Sequence, residues 1–242
     1  MTLDGLDLTG IDIPTDAPVL VTGATGYVAG WIVKGLLDAG VTVHAAVRDP
    51  DANARVAHLK AMADVASGSL KLFAADLLTP GAYADAMAGC SVVFHTASPF
   101  VRQVKDPQRD LLDPALEGTR SVLASVNGTP SVRRVVLTSS IAAVYCDAVD
   151  AERAPGGTVD ETMWNTSASL CYEPYLYSKT RAEREAWTIA GAQDRWRLVT
   201  VNPGVVLGPA LNPNPTSDSF SIVKMLGDGT TRFGGVALPL PS

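Results

Sequence analysis

One β-α unit near the start of the chain limits what it can fold into more than any other feature. Val19-Leu20-Val21-Thr22 reads as a short strand, Gly23-Ala24-Thr25-Gly26 as a tight turn, and Tyr27 to Ala39 carries apolar residues at helical spacing and stops before Gly40. The same alternation continues. Val41 to Val47 reads as a second strand and Asn53 to Ala66 as the next helix, while Leu70–Ala74, Val92–Phe94, Val135–Leu137 and Leu198–Val201 read as further strands. Asp113 to Val126 reads as a helix opened by Asp113-Pro114, an N-cap and first-turn pair. The expected fold is α/β: a Rossmann-type, doubly wound parallel sheet with helices on both faces. The alternation is lost over 146–172 and after Asn202. Residues 1–202 are therefore expected to form a nucleotide-binding domain that also carries the chemistry, and 203–242 the start of a small C-terminal substrate lobe. The stretch GDGTTRFGGVALPLPS is rich in glycine and proline and closes on no helix or strand, so the lobe is expected to be incomplete.

The turn after the first strand has the spacing G-x-x-G-x-x-x-G (Gly23, Gly26, Gly30). Glycines there allow a sharp turn and bring the backbone close to a pyrophosphate, which the free N–H groups and dipole of the helix N-terminus then hold. Thr22, Gly23, Thr25, Gly26, Tyr27 and Val28 are the expected contacts of a dinucleotide. The end of the second strand selects which one. An acidic residue there suits the ribose hydroxyls of NAD, and an arginine suits a 2′-phosphate. The chain has Val47-Arg48-Asp49-Pro50, with Arg55 beyond, so two cations favour NADP(H). Asp49 is a carboxylate that could still hold a ribose hydroxyl. Asp76 and Leu77, after the third strand, are placed to meet the adenine edge, although Asp76 would also serve as a helix cap.

Composition excludes several classes. A net charge of −6 offers no basic footprint for nucleic acid or an anionic membrane. Cys90, Cys146 and Cys171 are odd in number and widely spaced, which suits reduced thiols better than disulfides or a metal site. The acidic N-terminal stretch has no apolar signal core, and no apolar run reaches bilayer length, so a cytoplasmic protein acting on small molecules is expected. No coiled-coil heptad or other signal fixes an oligomeric state.

The segment YEPYLYSKTRAE holds three tyrosines, Tyr172, Tyr175 and Tyr177, ahead of Lys179 and Arg181. On a helix, residues four apart share a face, which pairs Tyr175 with Lys179 and Tyr177 with Arg181. Tyr172 lies about two turns, roughly 10 Å, from Lys179, and Pro174 suits a helix start that leaves Tyr172 in the preceding loop. A phenol that gives a proton to a carbonyl near neutral pH needs a nearby cation to stabilise its phenolate. Either pair meets that need. Upstream, Thr138-Ser139-Ser140 closes the fifth strand, at the sheet edge where ligands bind, and a hydroxyl there can hold a developing alkoxide.

Glycine loop, strand-end serine and Y-x-x-x-K in this order resemble the extended branch of the short-chain dehydrogenase/reductases. TGATGYVAGW, VRDP, AADLL, FHTASPF, VVLTSS, DETMWN, YLYSKTRAE and VNPGVVLGP are similar to the group of dihydroflavonol reductases, cinnamoyl-CoA reductases and yeast-type aldehyde reductases, from about Val19 to Pro209. The Asp160-Glu161-x-x-Trp164 element is especially like that group. The resemblance implies a catalytic triad of Ser140, Tyr175 and Lys179. Ser140 is preferred to Ser139 for its separation from Tyr175 (175 − 140 = 35), with Ser139 left open. It further implies Arg48 and Arg55 on the NADPH phosphate, Thr96, Ala97 and Ser98 along the cofactor ribose and nicotinamide, and Pro203, Gly204, Val205 and Val206 at the carboxamide. His95 reads as a packed residue. Tyr145 stands where dihydroflavonol reductases carry an asparagine, which argues against a flavonoid-specific pocket. Phe100, Tyr145 and Tyr172 are then candidate substrate contacts. The implied activity is NADPH-dependent reduction of an aldehyde or ketone with no metal. A sugar-nucleotide epimerase or dehydratase, a steroid-type alcohol dehydrogenase and a non-catalytic NADP sensor are the alternatives. Ile141-Ala142-Ala143 supplies no acid after the serine, which weighs against a dehydratase.

Overall fold

The computed structural model describes residues 16–99, 104–213 and 218–228. Strands β1 (Val19–Thr22), β2 (Thr42–Val47), β3 (Ser69–Ala74), β4 (Val92–His95), β5 (Arg134–Thr138) and β6 (Arg197–Val201) form one sheet in the order β3-β2-β1-β4-β5-β6, and every pair is parallel. The chain winds one way from β1 through β2 to β3, then returns to lay β4 on the other side of β1. The strand order thus reverses between β1 and β4, the place where open α/β sheets leave a crevice beyond their carboxyl ends. The fold expected from the alternation is the fold observed.

Side chains alternate across each strand, so one strand feeds two cores. Val19 and Val21 of β1 and Val43 and Ala45 of β2 pack beneath α1 (Tyr27–Asp38) and α2 (Asn53–Val65), with Val33, Leu36, Leu37, Val56 and Leu59. Leu20, Val93 and Val135 face the other way. They meet Met87 of α3 (Ala84–Met87), Val122, Leu123 and Val126 of α4 (Asp113–Gly128), and Ala186 of α6 (Pro174–Gly191). Burying each large apolar side chain contributes about 1.5–3 kcal/mol, and these two layers hold the carboxyl ends of the strands level. Arg195 donates to the carbonyls of Val126, Asn127, Thr129 and Val132, satisfying the exposed C-terminal end of α4 and tying it to the start of β6.

The start of α4 differs from expectation. The helix begins at Asp113-Pro114, but Asp113 is not its N-cap. A wide π turn, Gln108–Leu112, runs into it, and Leu112 before it is already helical (φ −69°, ψ −52°). The capping residue is Asp106, whose carboxylate accepts from the N–H groups of Gln108 and Arg109. Pro114 has no N–H to give to the turn before it, and a widened turn absorbs that missing bond. Within 146–172 the chain forms the short helix α5 (Ala148–Glu152), a single 3-10 turn at Pro155–Gly157 and one bridge between Ser169 and Tyr172, and α7 (Asp218–Gly227) follows the loops after β6. No helix among the described residues is long and apolar enough to cross a membrane.

Candidate active site

The expected site residues gather at one edge of the sheet. Thr22 to Val28 join β1 to α1; Arg48 follows β2, and Arg55 lies in the first turn of α2, both exposed. Asp76 and Leu77 follow β3, Thr96 to Ser98 follow β4, Ser140 follows β5 and Pro203 to Val206 follow β6. Phe100 lies outside the described residues.

The glycine turn is built by Thr22 and Gly23. Gly23 has φ +63°, and a Cβ there would sit 3.0 Å from the Ala97 Cα, so the loops after β1 and β4 touch backbone to backbone. Thr22 joins the same two loops. Its hydroxyl oxygen accepts from the N–H groups of Thr96 (3.2 Å) and Ala97 (3.1 Å), which leaves its hydrogen for the Nδ1 of His95 at 3.0 Å. His95 is therefore the Nε2–H tautomer. Burial, and secondarily the Lys179 charge, lowers its pKa to about 4, so it is a neutral packing residue. Gly23→Ala is expected to cost at least about 1–2 kcal/mol for the left-handed backbone alone and to push Ala97 away, read as a lower Tm and weakened dinucleotide binding.

No side chain caps the N-terminus of α1, and no acidic residue sits in its first turn. At the end of β2, Asp49 Oδ1 accepts from the N–H groups of Asp51 and Ala52, so that oxygen shapes the turn. Neither Arg48 nor Arg55 is in an ion pair among the described residues. Asp76 Oδ1 likewise accepts from the Leu78 N–H, and Leu77 packs so tightly on α4 that a Cβ at Gly118 would meet it at 2.7 Å.

The two tyrosine–cation pairs diverge. Arg181 turns back to donate to the Tyr177 hydroxyl at 2.8 Å, in a cleft shared with Asn165, Thr166 and Ala168, whereas Lys179 lines the one formed with Ser98, Thr138 and Ser139 at the strand ends. Lys179 Nζ lies 5.8 Å from the Tyr175 ring centre and donates to Ser98 Oγ at 3.0 Å, beyond β4. Burial lowers the Lys179 ammonium to about 8. Tyr175 is half exposed at the first turn of α6, which begins with Pro174 after the left-handed Glu173 (φ 50°).

The two serines also differ. Ser139 Oγ donates to the buried Glu183 carboxylate at 2.5 Å. Ser140 is extended, and its Oγ accepts from the Ala142 N–H at 3.1 Å, capping the short turn Ile141–Ala143. The loop after β6 locks onto this turn: the Ile141 N–H donates to the Pro203 carbonyl. Tyr172 lies in the loop before α6 and donates to Asp147, whose carboxylate hydrogen bond raises the phenol's pKa. Asp147, Asp150 and Cys146 bring potential metal-binding atoms within 4.8 Å of one another. The Asp150 carboxylate, however, accepts from Ser167 and from the N–H groups of Cys146 and Asp147, completing a capping box with the N-cap Asp147 at the start of α5. Tyr145 is part-buried, and burial raises its pKa.

Three contacts escaped sequence reasoning. Glu183 accepts from Asn202 and from the Ser139 hydroxyl, and Asn202 donates also to the Ser140 carbonyl. The third is a loop that crosses the glycine turn: Tyr27 OH donates to the Gly208 carbonyl (2.6 Å), Trp31 Nε1 to that of Pro209 (3.0 Å) and Asn212 Nδ2 to that of Thr25 (3.1 Å). Glu183 had a visible signal, since it stands four residues after Lys179 and eight after Tyr175.

Residues 19–230 match the model of the NAD dependent epimerase/dehydratase family. The chain belongs to that family. Among its curated members, the chain is 46% identical to cinnamoyl-CoA reductase CAD2 of Medicago truncatula over 216 residues, covering 88% of this chain and 65% of that protein. It is 40% identical to tetraketide alpha-pyrone reductase 1 of Arabidopsis thaliana over 218 residues, covering 89% of this chain and 65% of that protein. The crystal structure of Gre2 from Candida albicans in complex with NADPH superposes with a TM-score of 0.70 at 31% identity, over 80% of this chain and 59% of that one. The chain thus spans about two thirds or less of the length of these epimerase/dehydratase-family relatives. The extended-reductase resemblance read from the motifs is borne out.

Proposed function

We propose that this chain carries the cofactor-binding and proton-transfer parts of an NADPH-dependent reductase that converts an aldehyde or ketone to its alcohol. The observation that carries this reading is the divergence of the two tyrosine–cation pairs. Only the Tyr175–Lys179 pair sends its cation to the end of a central strand, at Ser98. The named reductases among the relatives, and NADPH in the Gre2 structure, point the same way.

The residues fit a nicotinamide dinucleotide. A close backbone approach at Gly23, the uncapped start of α1 and two arginines in no ion pair among the described residues suit a pyrophosphate and a 2′-phosphate. When bound, NADPH supplies the hydride. Tyr175 gives a proton to the carbonyl oxygen as charge develops there. Lys179 stabilises the phenolate left behind. Ser140 holds the carbonyl oxygen, because its cap accepts a hydrogen bond and leaves its own hydrogen to donate, whereas the Ser139 hydrogen is given to Glu183. The turn after Ser140 carries no acid, which favours a reductase over a sugar-nucleotide dehydratase. We further propose that residues 203–242 begin the substrate lobe.

The test is loss of NADPH absorbance with a panel of aldehydes and ketones, beside binding titrations with NADPH and NADH. Turnover with NADPH and weaker binding of NADH are expected, and binding of neither cofactor would overturn the reading. Arg48→Gln removes one charge-assisted contact and is expected to weaken NADPH about tenfold to a hundredfold, with NADH little changed.

A further inference from the structure

We propose that Glu183 is a positioning residue for the proton-transfer site: its buried carboxylate locks the Ser139-Ser140 turn against β6 and α6. The proposal rests on the reading of Ser140, Tyr175 and Lys179 given above. Glu183 is 6% exposed and shares a face of α6 with Tyr175 and Lys179. Among the described residues no lysine or arginine pairs with it. Its partners are neutral donors instead. Oε2 accepts from Ser139 Oγ (2.5 Å) and from Asn202 Nδ2 (2.7 Å), and Oε1 accepts from Trp187 Nε1 (3.3 Å). A buried carboxylate without a cation is costly, and an apolar residue on the inner face of α6 would pack more cheaply.

What the carboxylate gains is a junction. Asn202 Nδ2 also donates to the Ser140 carbonyl at 3.0 Å, so one carboxylate oxygen reaches both serines, one through a hydroxyl and the other through an amide. The Ser139 N–H donates to the Val201 carbonyl, and the Ile141 N–H to that of Pro203. Ser140 is thus held from both sides, with its hydroxyl orientation set by the Ala142 cap. The three elements that meet at Glu183 are β5, which leads to Ser140, β6, which leads to Pro203–Val206, and α6, which carries Tyr175 and Lys179. A hydrogen-bond donor aimed at a developing oxyanion works only if it is fixed before the reaction, and Glu183 supplies that fixity.

All three partners donate, so the site needs an acceptor at both oxygens. Glu183→Gln keeps the shape but must turn an NH2 group towards either Trp187 or the Ser139–Asn202 pair. Glu183→Gln/Trp187→Phe removes the conflict: the amide oxygen faces Ser139 and Asn202, and the NH2 points to the half-exposed side that Trp187 occupied. Two readouts are taken on this chain: kcat with NADPH and a carbonyl substrate, and amide hydrogen exchange over 137–144. In Glu183→Gln, kcat is expected to fall at least about tenfold with NADPH affinity unchanged, and exchange at 139–142 to quicken by a similar factor. The double variant is expected to restore both. Unchanged exchange in Glu183→Gln, unchanged kcat despite faster exchange, or no recovery in the double variant would each overturn the proposal. If Glu183→Gln fails to fold, Ser139→Ala cuts the same link from the other side, and exchange over 140–142 equal to that of the unsubstituted chain overturns it. Should the unsubstituted chain turn over no carbonyl while exchange responds as expected, the reductase reading falls and the Glu183 junction stands.

Discussion

Tyr175→Phe is expected to lower kcat for carbonyl reduction by about 10²–10⁴-fold while leaving NADPH affinity within about twofold. The phenol is the only group proposed to move a proton, and phenylalanine keeps the ring that Lys179 approaches at 5.8 Å. Tyr177→Phe is the control. It removes a phenol with the same spacing to a cation, but that pair closes on itself in the other cleft, so kcat should hardly move. The pH profile separates proton transfer from a packing effect. Lys179 in the free chain has its pKa lowered by burial to about 8, so its charge is present below that pH and lost as pH rises through it. Reduction also consumes a proton. Both effects make kcat/KM fall on the alkaline side of about pH 8, and that fall should be absent from the residual activity of Tyr175→Phe. A variant that retains full kcat with the same alkaline fall would remove Tyr175 from the mechanism.

The sheet was legible because each strand is a short apolar run bounded by a turn, the form expected of parallel strands buried on both faces. Six strands and three long helices stand within a residue or two of where the pattern puts them. At α4 the boundary is where the Asp113-Pro114 signal puts it but the cap is not: Asp113 is already helical, because Asp106 caps a π turn that runs into the helix. The tyrosine pairs were ambiguous in sequence because four-residue spacing says nothing about where a cation goes. Tertiary contacts decide that, with Ser98 taking Lys179 and Tyr177 taking Arg181. Tyr172, a candidate substrate contact, shows the same limit: its hydroxyl donates to Asp147, which lies 25 residues away with no pattern linking them. Asn202 was invisible because a single amide after a strand carries no periodic signal, and its value lies in joining the turn after β5 to α6.

Acidification is expected to destabilise the chain through His95, by about 2 kcal/mol between pH 7.5 and pH 5. The unfolded imidazole takes up its proton near 6.5, and the buried one only near about 4. Between those values the unfolded state binds more protons. The stabilisation is therefore fully present above 6.5 and is lost as the pH falls towards 4, where it amounts to about 3 kcal/mol. The physical origin is burial, and secondarily the Lys179 charge: a second ring proton would be held away from solvent beside that cation, and it would also break the bond in which Nδ1 accepts the Thr22 hydrogen. His44 and His58 are lowered by burial as well and add to the same acid slope. His95→Asn isolates the contribution, since its amide oxygen can accept from Thr22 without titrating. Urea unfolding at the two pH values should show the loss shrinking by about 2 kcal/mol in the variant. Because Thr22 also holds Thr96 and Ala97, the same acidification should loosen the loop after β4 and weaken dinucleotide binding before global unfolding. An acid slope identical in the variant would mean that His95 is charged in the fold and that Thr22 sends its hydrogen elsewhere.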